Sequence, residues 1–136
     1  LLYTSSQMMR HHQGITGLAG STPGGRYGGL VQCLTAERYA CDVEYRERIS
    51  VGGGGFDAVV EGDWMLRNTA SLLTGEPTVT MVVEPGVVRY GGTETKADHW
   101  KSVRSMNVLD MTYLDDSLRV MRGNTSTDTI FIFAKS

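Results

Sequence analysis

Period-two alternation constrains this chain more than any other feature. Val31, Cys33, Tyr39, Cys41, Val43 and Tyr45 fall on one face, and Gln32, Asp42, Glu44 and Arg46 on the other. Successive side chains of an extended strand point to opposite sides, so this pattern predicts half-buried antiparallel strands. Ala36-Glu37-Arg38 reads as the turn between them, which places Cys33 and Cys41 opposite each other, as reduced core thiols or, alternatively, as a disulfide. Phe56, Ala58, Val60, Gly62, Trp64 and Leu66 then alternate against Asp57, Glu61, Asp63 and Arg67 as one long strand, or two bent at Gly62.

The remaining segments extend the pattern. Leu1–Ser5 reads as a first strand, Gln7–Gly20 as a short helix or irregular lid, and Ser21–Gly29 as a flexible turn region. The Gly52–Gly55 run is a loop; Thr78–Glu84 is a strand, broken or bulged at Pro85-Gly86 and continued by Val87–Tyr90. Gly91–Lys101 is a polar loop, and Met106–Leu114 leads into a closing meander. That meander comprises Tyr113-Leu114, an Asp115-Asp116 turn, Leu118–Arg122, a Gly123-Asn124 turn and Thr129–Phe133. The fold class is therefore all-β, with little helix and about eight strands. Strands with one apolar face each close most readily into an up-and-down antiparallel barrel, because closure removes the sheet edges.

Composition bounds the function classes. A chain of 136 residues forms a single domain, residues 1–136, able to bury a core. A net charge of -2 gives no basic face for nucleic acid. No apolar run reaches the roughly 20 residues of a transmembrane helix. The absence of Asp and Glu before Glu37 resembles a transit peptide, but the strand-like Leu1–Ser5 argues against that. The chain is read instead as starting within a mature protein that has further residues upstream.

Catalytic patterns are absent. No Gly-x-Ser-x-Gly elbow occurs, the glycine run lacks the Lys-Ser/Thr of a phosphate loop, and His11, His12 and His99 have no metal-ligand spacing. Asp115-Asp116 suits a turn better than acid–base work. The chain is accordingly read as not an enzyme, with no metal and no resident cofactor.

The arginines of the Leu118–Arg122 strand are the sharper feature. Arg119 shares a face with Met121, and Arg122 shares the other with Leu118 and Val120, so one guanidinium points inward whichever face is the core. A buried guanidinium needs a partner. An internal acid, Asp110 or Asp115, is the structural choice and the expected one; the carboxylate or phosphate of a bound lipid is the alternative. Tyr113 can add a phenol to either. The methionines, Trp64, Trp100, Phe131 and Phe133 form either ordinary core or an adaptable apolar pocket.

Tyr113-Leu114-Asp115, Leu118-Arg119-Val120 and Arg122-Gly123 before an apolar C-terminal strand, together with Leu1-Leu2-Tyr3-Thr4-Ser5-Ser6 as a first strand, resemble the plastid lipid-associated protein family (PAP/fibrillin, plastoglobulins). Both ends match in order, so the resemblance spans nearly the whole chain. It implies a lipocalin-like barrel in a chloroplast protein, peripheral to thylakoid or plastoglobule, that binds isoprenoids, carotenoids or other lipids. Under it, Arg119, Tyr113 and Arg122 are the candidate polar anchors, with Trp64 and Trp100 as wall or rim. The alternative is a peripheral structural subunit docked on a photosynthetic membrane complex. An enzyme-like barrel, such as a chromophore-attachment lyase, is a third reading that no residue demands.

Overall fold

The computed structural model describes residues 1–37, 40–71, 74–100, 103, 107–123 and 129–136. Among them one antiparallel sheet of nine strands dominates. In chain order these are β1 (Tyr3–Thr4), β2 (Gly25–Ala36), β3 (Cys41–Val51), β4 (Gly54–Ala70), β5 (Pro77–Tyr90), β6 (Thr93–Lys96), β7 (Val108–Leu114), β8 (Leu118–Gly123) and β9 (Ile130–Ala134). Two short helices, α1 (Gln7–His12) and α2 (Leu18–Ser21), and a 3-10 turn over Ala97–His99 complete the fold.

Across the sheet the strands run β1-β9-β8-β7-β5-β4-β3-β2. β5 serves two neighbours on one edge, β7 along Thr80–Val82 and β6 along Val87–Tyr90. In a flat sheet β9 and β2 would lie roughly 30 Å apart at about 4.8 Å per strand. Here Leu30 of β2 joins Phe131 and Phe133 of β9 in one core cluster, with Val60, Met81, Leu109 and Met121 from the strands between. The sheet is thus curled into a half-barrel around its apolar face. Its two ends, β1 and β2, do not pair as strands, and the Leu1 nitrogen donates to the Leu30 carbonyl at 2.6 Å across the gap.

The β2–β3 ladder corrects the sequence reading. Cys33 pairs with Glu44 and Cys41 with Ala36, so the cysteines are not cross-strand neighbours. Both are free thiols; Cys33 is exposed and Cys41 half-buried, neither in the core. The cause is the turn. Glu37 and Ala40 exchange backbone hydrogen bonds at 2.7 and 3.4 Å, so the ladder closes at this pair and is not centred on Glu37. An odd residue on β2 then faces an even one on β3, and such a slip turns a strand over. Leu30 and Gln32 therefore look inward opposite Glu47 and Tyr45, while Val31 and Cys33 look outward. Tyr39, Met106 and Asn124 lie outside the described residues.

Other expectations are revised more gently. The Leu1–Ser5 strand shrinks to Tyr3–Thr4, Gly25–Gly29 belongs to β2, and the Gly91–Lys101 loop contains β6 and the 3-10 turn. The lid over Gln7–Gly20 is two helical turns. Ser6 caps α1 by accepting the Met9 N–H at 3.2 Å, and Gln13 and Gly14 take positive φ to end it. Met9, Ile15, Leu18 and Ala19 are buried, so this segment closes one end of the half-barrel.

The Phe56–Arg67 stretch is one strand, with its irregularity at Glu61/Gly62. Glu61 pairs with Val87 and Gly62 with Pro85, which leaves Gly86 as the extra residue of the bulge. A Cβ on Gly62 would collide with the Glu84 carbonyl and lie 2.8 Å from the Pro85 Cα. Both obstacles are backbone. Gly62→Ala is therefore expected to cost about 1–3 kcal/mol, as overpacking does. Gly53→Ala, with nothing within 4 Å of its Cβ, should stay within about 0.5 kcal/mol of the parent. Paired chemical melts check this, and equal midpoints for the two variants would remove the bulge-contact explanation.

Candidate functional site

A cleft of about 580 Å³ opens where the sheet fails to close, between β8, β9 and the chain start on one side and β2 on the other. Leu1, Leu2, Leu30, Val31, Leu34, Leu118 and Phe133 supply apolar walls, and Gln32 and Arg119 supply polar groups. A second cavity of about 340 Å³ shares Leu1 and Leu2 with it and is otherwise bounded by Tyr3, Met9, Arg10 and Tyr27.

β8 delivers Arg119 to the cleft. Its neighbours in register are Leu114 and Phe133, and Met121, on the same face, is fully buried. The guanidinium carbon lies 4.9 Å from the centre of the Phe133 ring, and Nη2 donates to the Gln32 Oε1. Gln32 Nε2 in turn donates to the Tyr45 hydroxyl at 2.8 Å. Tyr45 is fully buried, which pushes its phenol well above the ordinary value, so it remains neutral. Arg119 Nε is buried without a partner. Burial also lowers the Arg119 pKa, in keeping with a cation whose surroundings supply no countercharge.

The internal acid expected beside Arg119 is therefore not there. Among the described residues Arg119 has no ion pair with a carboxylate. Asp115 is occupied by its own turn: Oδ1 accepts the Ser117 and Leu118 N–H groups at 2.7 Å each, and Oδ2 accepts the Tyr113 hydroxyl at 2.6 Å. These bonds hold its carboxyl down at about 2. Asp110 points to the outer side and is buried there, accepting hydrogen bonds from Ser71 at 2.5 Å and Thr80 at 3.3 Å.

Of the five candidate site residues only Arg119 lines the cleft. Arg122 is half-buried on the opposite face of β8, in register with Asp110. Tyr113 is exposed and bound to Asp115. Trp64 packs on the main core and donates its indole N–H to the Thr35 carbonyl at 3.2 Å. Trp100 meets Tyr90 edge-on at 5.9 Å and packs against Leu18, Ala19, Ile49 and Ala58.

Sequence reasoning missed Gln32, Tyr45 as its partner, and Glu47. Glu47 has the parity of Val43, Tyr45 and Ile49, and that shared parity is the signal that marks it as inward. It is completely buried. Its Oε2 accepts the Ile15 N–H at 2.5 Å, and its Oε1 accepts the Thr16 hydroxyl. Burial raises its pKa, and the bonds from Thr16 and Ile15 oppose that rise. The nearby negative charge, added to burial, pushes the Tyr27 phenol up to about 12. A carboxylate on β3 thus fastens the helical segment that closes one end, while the guanidinium on β8 stands in the opening.

Two outcomes follow from these charges. The folded state binds the Glu47 proton more tightly than the unfolded chain, so this group favours folding below the ordinary carboxyl value. That contribution is lost as pH rises from there to the raised value. Thermal melts between about pH 4 and about pH 8 should show wild type losing ground to Glu47→Gln across that window; parallel curves would mean that folding does not raise the Glu47 pKa. Arg119→Leu replaces an incompletely paired buried cation by an apolar side chain. It is expected to raise the stability of the ligand-free protein by on the order of 1 kcal/mol, whereas a pairing with an internal acid would make the same change destabilising; denaturant midpoints decide.

No family model, no curated protein and no solved structure matches the chain.

Proposed function

We propose that this is a non-enzymatic plastid protein that binds a small lipophilic molecule, an isoprenoid, carotenoid or other lipid, at the surface of thylakoids or plastoglobules. The supporting observation is the cleft, whose walls are apolar and whose interior holds one incompletely paired cation. Its volume falls within the range of small-molecule sites, and one polar group among apolar walls is the usual way such a site orients its ligand. Covering about 300 Å² of apolar ligand surface would contribute roughly 7 kcal/mol before the costs of association. In this reading the half-barrel completes itself as a lipocalin-like barrel around the bound molecule, with the Leu1–Leu30 hydrogen bond as its seam. The resemblance of Tyr113–Gly123 and Leu1–Ser6 to PAP/fibrillin proteins supports the location and the ligand class.

A peripheral subunit docked on a photosynthetic membrane complex is the second reading. It is favoured by Leu2, Leu114 and Tyr3, which are 65%, 64% and 53% exposed beside the two cavities.

Native mass spectrometry with lipid and pigment extraction, on protein isolated without harsh detergent, separates the two. The expected result is one equivalent of a lipophile on the isolated chain. An empty chain that co-migrates with a large membrane complex would overturn the carrier reading in favour of the subunit.

A further inference from the structure

We infer that the molecule taken up by the cleft carries a single anionic carboxylate head on an apolar tail, and that Arg119 grips that head; the inference rests on the lipophile-binding reading above. A guanidinium offers N–H groups on three nitrogens. In this cleft one bond is taken by Gln32, the Phe133 ring covers one face, and Nε is buried with no acceptor. Every side chain that contacts Arg119 is uncharged, an amide, an aromatic ring and, through Gln32, a phenol, and the Leu1 amino group, whose charge acts on Arg119, is itself positive. A cation taken from water into such a setting needs a negative partner.

The chain's own acids are committed elsewhere. Glu47 is enclosed by the Ile15 N–H and the Thr16 hydroxyl. Asp115 lines the mouth of the cleft but is held by Tyr113, Ser117 and Leu118. The exposed Lys135, also at the mouth, offsets the Asp115 charge. Among the side chains that line the cleft, the unbalanced charge is then the single positive one of Arg119, which suits a monoanion better than a dianionic phosphate monoester. A planar carboxylate can also engage two parallel N–H bonds of the fork. The tail would lie along Leu30, Leu34, Leu118 and Phe133.

The probes are oleate and oleyl alcohol, which share a tail and differ in charge, titrated calorimetrically at about pH 8, where a carboxylate is ionised. Wild type is expected to bind oleate at least about tenfold more tightly than oleyl alcohol. Arg119→Gln should abolish that preference by weakening oleate, whereas Arg122→Gln, on the opposite face of β8 and outside the cleft, should keep it. Equal affinities in wild type would overturn the acidic head while leaving the lipophile reading intact. A preference for oleate that survives in Arg119→Gln would overturn the assignment to Arg119. Binding of neither probe would overturn both readings together.

Discussion

The pairing of Leu30 with Glu47 and of Gln32 with Tyr45 across the β2–β3 ladder determines what the interior of this sheet receives. In an antiparallel pair, residues directly opposite share a face, so one parity choice at the hairpin propagates along the whole ladder. A turn one position earlier would send Val31 and Cys33 inward and Gln32 out to solvent. Arg119 would then lose its amide acceptor, and Tyr45 the donor to its hydroxyl. The closure of the ladder at Glu37 and Ala40 therefore governs a polar arrangement at the cleft, with a strand that is several places away in the sheet order.

That parity also brings two ionisable groups inside, and the fold treats them differently. Removing either from water costs several kcal/mol. Glu47 is compensated by donors from the 14–16 segment, and the same bonds fasten this segment to the end of the half-barrel. Gly14 suits the arrangement, since its positive φ and the room its missing Cβ leaves for the Glu47 carboxylate let the chain pass directly over the acid. Arg119 is compensated only by neutral partners. One end is thus sealed by a satisfied charge and the opening carries an unsatisfied one.

Much of the fold could be read from the residues because alternation survives wherever one face is buried. β4 and β5, the bulge at Pro85-Gly86 and the closing meander all follow from it. The inward orientation of one arginine of β8 follows too, since Arg119 and Arg122 differ in parity. The partner of that arginine was not legible. It comes from Gln32, 87 residues away, on a strand whose outward positions are apolar enough to imitate a core face. The helical segment was obscured by its glycines, which weaken helix propensity but here supply the positive φ that ends one turn and starts the next. Glu47 escaped because a buried acid contradicts the binary pattern; only its donors, from a segment more than 30 residues earlier, explain it.

Leu1 and Leu2 form a common wall between the two cavities, and backbone bonds from Leu1 to Leu30 and from Leu2 to Ile132 hold that wall in place. Two hydrogen bonds are a small barrier beside the cooperative ladders of β3, β4 and β5. Local fraying of this wall would join the cavities while the sheet stays folded. The residence time of anything held there would then be set by the lifetime of a short segment of chain, and exchange could be fast even in a protein whose global unfolding is slow.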